Sequence, residues 1–390
     1  MPNNWKTYKL GEIATLQRGF DLPTQDRIHG NVPIIAASGI GGYHNVHKVK
    51  GPGVITGRSG TIGKVMFEKG DFWPLNTSLW VKNFNGNDPK YIYYLLTLFD
   101  FSSFNNGTSV PTLNRNDVHS VELTIPPLPE QCAIASILSA LDDKIELNLQ
   151  MNKTLEEMAM TLYKHWFVDF GPFKGGKFVD SELGPIPEGW EVKRLDQILE
   201  IKRGGSPRPI QEYIAPNGLH WLKISDATAS NSPFLFTTKE FIKEEGLRKT
   251  IMVKPGSIIL SNSATPGLPR LIEFNTCIHD GWLHFPVIKR YNRYILYLLF
   301  LNIKEHLIQQ GNGSVFTNLK TDILKAQVIN LPPKIIEGQF TDQITSWFEQ
   351  IRLNTIENQT LNTLRDTLLP KLISGEVRVK GIEKQVAEVL

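Results

Sequence analysis

Residues 126–167 read PPLPEQCAIASILSALDDKIELNLQMNKTLEEMAMTLYKHWF, and 206 positions later residues 332–373 read PPKIIEGQFTDQITSWFEQIRLNTIENQTLNTLRDTLLPKLI. In the first stretch apolar residues recur in steps of four and three: Ile134, Leu138, Leu141, Ile145, then Asn148 and Asn152, then Leu155, Ala159, Leu162 and Trp166. The same offsets in the second give Phe340, Ile344, Trp347, Ile351, Asn354, Asn358, Leu361, Arg365, Leu368 and Leu372. A seam sustained over more than four heptads predicts a coiled coil. The asparagines lie symmetrically about positions 150 and 356, so an antiparallel pair centred there brings Asn148 opposite Asn358 and Asn152 opposite Asn354. Buried Asn at a seam gives up stability for a fixed register; these four residues are predicted to lock two antiparallel helices against sliding. About 40 residues at about 1.5 Å each make a helix roughly 60 Å long, long enough to hold two heads well apart. Prolines 126, 127 and 129 set the start of the first helix, and Pro332 and Pro333 that of the second, where a missing N–H costs nothing.

Outward from the helices the repetition continues. WKTYKLGEIATLQRG, from Trp5, is echoed by WEVKRLDQILEIKRG, from Trp190, matching Trp5/Trp190, Leu10/Leu195, Ile13/Ile198, Arg18/Arg203 and Gly19/Gly204 at a separation of 185. Ser59-Gly-Thr-Ile-Gly63 faces Ser263-Ala-Thr-Pro-Gly267 at a separation of 204. Insertions accumulate in the heads and none in the helices, as expected if the helices are spacers of fixed length and the loops are free to vary. The predicted organisation is a first head over 1–127, a long helix over 128–170, a Gly/Pro-rich linker over 171–189, a second head over 190–332, a second long helix over 333–376 and a tail over 377–390. Each head reads as mixed α and β: runs such as VPIIAAS, SLWVKNF, GSIILS and HFPVI are broken by Gly-rich turns, and a helix is expected at YIYYLLTLFD and at YILYLLFLNI. The fold class is therefore α+β, a pseudo-twofold tandem repeat.

Composition narrows the function. With 41% hydrophobic and 21% charged residues the chain reads as an ordinary soluble protein. Its first residues lack the basic-then-apolar pattern of a signal peptide and no apolar run reaches the roughly 18 residues that span a bilayer, so a cytoplasmic, membrane-free location is expected. Cys132 and Cys277 sit in different segments with no CxxC spacing and no clustered histidines, and are expected to be small core residues. His44 and His47 lack a third ligand and are read as surface loop residues, with no metal site. The net charge of +3 is mild but segregated. Residues 1–67 carry eight Lys/Arg against three Asp/Glu and residues 202–254 nine against five, whereas residues 128–170 carry three against seven and residues 333–376 four against six. Basic heads and acidic helices suit a protein whose heads approach a polyanion, although solvated faces of either sign explain the imbalance as well.

Catalytic constellations are missing. The Pro-Pro pairs in IPPLPE and NLPPKI lack the preceding acid or amide and following aromatic that an amino-methyltransferase uses to hold a flipped base. In GRSGTIGKV the residue five before Gly63 would have to be a glycine of a phosphate loop, but the count lands on Arg58, and Val65 replaces the Ser or Thr. No HExxH, GxSxG or dinucleotide fingerprint is present, so no catalytic residue is assigned.

PLPEQCAIASILSALDDKIELN leading to LYKHWFVDF, the linker DSELGPIPEGWEV, and a second head and helix together resemble the specificity subunit of a type I restriction-modification system, from Trp5 to about Glu376. The second copy departs from the PLPEQ wording, reading PPKIIEGQF. The resemblance implies two target-recognition domains, each reading one half of a split site in double-stranded DNA, with the helices as a ruler. It implies assembly with two modification subunits, which bind S-adenosylmethionine, and with motor-nuclease restriction subunits, which use ATP and magnesium; no cofactor is expected on this chain. Acidic helices are the natural surface for the modification subunits. The expected reading segments differ, GRSGTIGKVMF against LSNSATPGLPRLI, which predicts two unlike half-sites. Expected base contacts are Arg58, Ser59, Thr61 and Lys64 in the first head and Asn262, Ser263, Thr265 and Arg270 in the second, since Arg grips guanine and Asn grips adenine; a tight turn built from the same glycines and hydroxyls is the alternative. Arg18 and Arg203 occupy equivalent positions and are expected on phosphate or scaffold rather than on bases. The matched loops Gly107–Val110 and Gly313–Val315 read as scaffold. Two rival readings remain: a single-chain DNA methyltransferase or endonuclease, and a coiled-coil protein adaptor.

Overall fold

A computed structural model describes residues 4–104, 112–310 and 318–379. The chain folds as two compact units, one of residues 1–146 with 359–390 and one of residues 147–358. Both long helices run through this division, Leu128–Phe167 with 40 residues and Lys334–Ser374 with 41.

In the first unit, Lys6–Lys9 pairs antiparallel with Glu122–Ile125, so the opening of the chain meets the end of the head. A single turn follows, Leu10–Ile13, in which the Glu12 carboxylate accepts the Lys9 N–H at 2.7 Å, satisfying a donor that the helix start leaves free. Among the described residues the head then has a four-stranded sheet, in the order Thr15–Arg18, Ser78–Asn83, Gly53–Gly57 and Val65–Glu68, and a three-stranded sheet in which Val32–Ala36 lies between Gly39–His44 and Trp73–Pro74. Helix Pro89–Thr97 starts with Pro at its first turn and Asp88 accepting the Tyr91 N–H at 2.8 Å. It buries Tyr91, Ile92, Leu95 and Leu96 in the same core as Leu10, Ile13, Leu16 and Leu79.

The second unit repeats this plan with additions. Glu191–Arg194 pairs with Val328–Leu331, the turn Leu195–Ile198 is closed by Gln197 accepting the Arg194 N–H at 2.9 Å, and the main sheet runs Leu199–Arg203, Trp282–Ile288, Ile258–Ser261, Pro269–Ile272 and Phe234–Leu235. A second five-stranded sheet holds Leu219–Leu222 beside Thr276–Ile278, parallel as Val32–Ala36 is to Trp73–Pro74. Glycine explains why RG recurs at the end of the opening signature. A Cβ on Gly19 would stand 2.2 Å from the Leu75 carbonyl oxygen, and one on Gly204 would stand 2.3 Å from that of His279. In both heads the backbone passes too close for any side chain.

Within each unit the helix segments run antiparallel. In the first, Ile134, Leu138 and Leu141 share a core with Leu361 and Leu372, and Arg365 donates to Asp142 at 3.0 Å, so the charged residue at an apolar seam position has its counter-ion opposite. In the second, the buried seam is Ala159, Tyr163 and Phe167 against Phe340, Ile344 and Ile351, while Leu155, Leu162, Trp166 and Trp347 are only partly buried. The periodicity placed Trp347 and Trp166 at the centre; instead Phe348 is fully buried, stacked on Tyr294 at 4.6 Å. The segment must bury one face against its partner helix and a second against the head, which rotates the apolar stripe by a residue.

Two smaller expectations fail. Cys277 is buried but Cys132 is exposed. His44 is 6% exposed, edge-on to Trp73 at the end of a strand, rather than in a surface loop. His47 is partly exposed, with Nδ1 at 3.3 Å from Asp71.

Candidate nucleic-acid interface

The two reading segments begin at equivalent backbone positions. In the first head the Arg58 N–H donates to Thr77 O at 2.8 Å and the Arg58 carbonyl accepts from Leu113 N at 2.8 Å. In the second the Asn262 N–H donates to Gly281 O at 2.8 Å and its carbonyl accepts from Leu319 N at 2.7 Å. Two bonds in the same pattern pin each segment where it leaves a buried strand, Gly53–Gly57 or Ile258–Ser261.

Beyond the pinned backbone the side chains diverge. Arg58 is half-buried, and its guanidinium has no hydrogen-bond partner among the described residues. Ser59 is half-buried and bridges to Thr112; Thr61 is exposed; Lys64 is exposed and donates to Ser38 O at 2.8 Å. This loop turns sharply, since a Cβ on Gly57 would lie 1.7 Å from the Thr61 carbonyl. Arg18 is exposed and stands 3.9 Å from Asp21, a pair too solvated to contribute much.

The second head does not offer its expected readers in the same way. Arg270 is 8% exposed and spends its guanidinium on carbonyls, Nη2 to Ala227 O at 2.7 Å, Nε to Ala227 O at 3.2 Å and Nη1 to Pro269 O at 3.2 Å. Strand Pro269–Ile272 is buried along its whole length, which is why a residue reading as a loop arginine becomes an internal brace. Burial also pulls its pKa down from the ordinary arginine range. Asn262 is 2% exposed, with Nδ2 donating to Asp280 O at 3.2 Å and Oδ1 unpartnered among the described residues. Both side chains are turned into the head, away from the exposed positions expected of base readers. Ser263 and Thr265 remain partly exposed, and Ala264 between them adopts a left-handed φ of 57° that turns the loop.

Asp280 organises what is accessible here. Its carboxylate accepts from Ser206 Oγ at 2.7 Å and Arg208 Nη2 at 3.0 Å, and its carbonyl accepts from Arg203 Nε at 2.6 Å as well as from Asn262. The Ser206 hydrogen bond is the main cause of a pKa below the usual carboxylate range, with Arg208 adding to it. Beside this cluster lies a pocket of about 890 Å³ walled by Pro207, Pro209, Ile210, Trp221 and Ile224. Arg208, Lys223 and His279, which line it, were not singled out from the sequence. The available signal was the basic, proline-rich GGSPRP run inside the net-positive stretch.

The helix asparagines lie in the second unit, buried. Asn148 Nδ2 donates to Asn358 Oδ1 at 2.9 Å and to Glu357 Oε2 at 2.7 Å; Asn354 Nδ2 donates to Asn152 Oδ1 at 2.8 Å. The loops Gly107–Val110 and Gly313–Val315 lie outside the described residues. Among the described residues no cluster of three or more His, Cys, Asp or Glu could hold a metal ion, and no helix is long and apolar enough to cross a membrane.

A repeated, two-headed chain with an arginine-bearing loop, a donor-rich pocket and paired helices defines a class of recognition scaffold. Residues 2–157 and 187–365 match the profile of the type I restriction modification DNA specificity domain, and the chain belongs to that family. It is 27% identical to the type I restriction enzyme MjaIX specificity subunit of Methanocaldococcus jannaschii, over 98% of this chain and 95% of that protein. It is 25% identical to the HindI specificity subunit of Haemophilus influenzae, over 96% of this chain and 100% of that protein. Its fold is similar to that of the type I restriction-modification S subunit from M. genitalium, with a TM-score of 0.62 and 16% identity over 95% of this chain and 97% of that one. DNA target recognition is the role of this family, and its specificity subunits are not themselves catalytic.

Proposed function

We propose that this chain is the sequence-reading subunit of a type I restriction-modification complex in the cytoplasm, its two heads each reading one half of a split, asymmetric DNA target. One observation carries the reading: Arg58 and Asn262 sit on equivalently pinned backbone positions, yet one is an arginine whose guanidinium has no partner among the described residues and the other a buried amide. Equal scaffolds with unlike side chains fit two unlike half-sites, whereas a symmetric dimer binds half-sites that mirror its twofold. The heads correspond to 1–127 and 190–332, the long helices to 128–170 and 333–376, and 171–189 is the linker between the repeats. In the first head Arg58 reads a base, with Ser59, Thr61 and Lys64 beside it; Arg18 and Arg203 serve phosphate or scaffold. The pairs Asn148–Asn358 and Asn152–Asn354 hold the helix register and thereby the length of DNA left unread.

Two modification subunits, carrying S-adenosylmethionine, dock on the acidic helices, and restriction subunits supply ATP- and magnesium-dependent cleavage. Mapping methylated adenines in cells that carry the system tests this. A split motif with two unlike halves is expected, and the purified chain alone should show no turnover with S-adenosylmethionine, ATP and magnesium. A palindromic motif, or turnover by the isolated chain, contradicts the reading.

A further inference from the structure

Because Asn262 and Arg270 are turned inward, the second head needs another way to read, and the pocket beside Asp280 has the chemistry for one. Its mouth carries hydrogen-bond donors. Arg208 is 77% exposed at its side chain, and Asp280 holds only its Nη2 end, leaving Nη1 and Nε unused. His279 accepts the Gly281 N–H on Nδ1 at 2.8 Å, so the neutral ring carries its proton on Nε2, which has no partner among the described residues. Burial lowers the His279 pKa and so favours that neutral ring. Lys223 donates one N–H to Glu240 and keeps two more, and Ser263 adds a hydroxyl. No carboxylate is among the pocket's lining residues, and the donors outnumber the single side-chain carbonyl there, that of Gln211.

A surface of donors matches a base edge of acceptors. In the major groove only guanine offers two acceptors and no donor on its own edge, O6 and N7, while adenine and cytosine present an amino group that needs an acceptor in return. An arginine fork fixed at one end by a carboxylate is pre-organised for that bidentate contact. We propose that the second head reads a guanine at this pocket, with Arg208 as the specificity-determining residue, His279 Nε2–H beside it, and Asp280 as the positioning residue. The inference rests on the family role of DNA recognition and names the base class and the residues in one half-site.

The test uses the full chain assembled with its modification subunits and DNA bearing the mapped motif. Each guanine of the half-site left unchanged by Arg58→Ala is replaced in turn by 7-deazaguanine, which lacks N7. At one position the replacement should weaken wild-type binding about tenfold or more. The Arg208→Ala complex should then bind both DNAs alike, and Arg208→Lys, which keeps the charge but not the fork, should lose the preference in the same way. Asp280→Asn should weaken the preference with Arg208 in place, thermal unfolding confirming that each variant folds. The proposal is overturned by a half-site without guanine, by indifference to 7-deazaguanine at every position, or by Arg208→Ala weakening all sequences equally with a shallower salt dependence, the signature of a phosphate contact. If the wild-type assembly fails to prefer any split motif, the family reading itself is wrong, an outcome separable from the others.

Discussion

In the first head the segment leaving strand Gly53–Gly57 holds Arg58 half-buried, and in the second the segment leaving Ile258–Ser261 buries Asn262, although the same two backbone hydrogen bonds anchor both. Gly19 and Gly204 repeat the same near-contact with a carbonyl, and Glu12 and Gln197 close the same turn. Repetition therefore preserves the interactions that fix the backbone, and divergence acts on the side chains that the backbone presents. A duplicated head can acquire a new reading surface without a new fold, provided the shared anchors stay.

The largest effects should come from breaking anchors. Gly19→Ala and Gly204→Ala each force a Cβ into a carbonyl and should cost about 3 kcal/mol apiece, seen as equal losses in thermal unfolding of the full chain. Arg270→Ala should cost the second head a similar amount, about 3 kcal/mol, because it removes the guanidinium's hydrogen bonds to the Ala227 and Pro269 carbonyls and empties a buried volume. If Arg270→Ala instead left stability intact and changed the recognised bases, Arg270 would be a reader after all.

Next come the helix asparagines. Asn148→Leu removes the buried hydrogen bond to Asn358 across the helix pair and should cost about 1–3 kcal/mol. The double change Asn148→Leu with Asn358→Leu should recover much of that while loosening register. Coupling in the double-mutant cycle is the readout, and simple additivity would remove the pairing from the account. Arg58→Ala should leave unfolding unchanged but weaken discrimination at one base pair of one half-site by roughly 1–3 kcal/mol, measured by competition binding of the assembled complex.

The smallest effect is a pH difference between the heads. Burial holds His220, His279 and His284 of the second head, and His119 of the first, below the usual histidine pKa. A histidine whose folded pKa is depressed stabilises the fold fully above its unfolded value, near 6.5, and loses that contribution as pH falls toward the folded value. Between pH 7 and 5 amide protection factors, which are corrected for the intrinsic slowing of exchange at lower pH, should therefore fall more in the second head than in the first. His119 also accepts the Leu16 N–H on Nε2 at 2.8 Å, a bond that protonation abolishes.

The scaffold was legible because it is written in periodic and repeated residues. The heptad seam, the prolines and the opening signature all appear twice, and the centring of the asparagines on positions 150 and 356 gives the pairing seen between Asn148 and Asn358. The readers were harder to find. Arg270 sits four residues after a Pro-Gly turn and reads as a loop arginine, and nothing local reveals that its strand is buried on both faces. Likewise Arg208 lies some 70 residues before the adjacent His279 and Asp280, and the three come together only through the fold. Trp347 and Phe348 are adjacent apolar residues, and only packing against both a helix and a head decides which one is central.

The claim that one scaffold carries two independent readers is tested most directly by exchanging a head. Residues 5–127 would be replaced by the corresponding head of a relative, and methylated adenines mapped in cells that supply the modification subunits. One half of the motif should change, while the other half and the spacing between them stay the same. A change in both halves, or in the spacing alone, would contradict it.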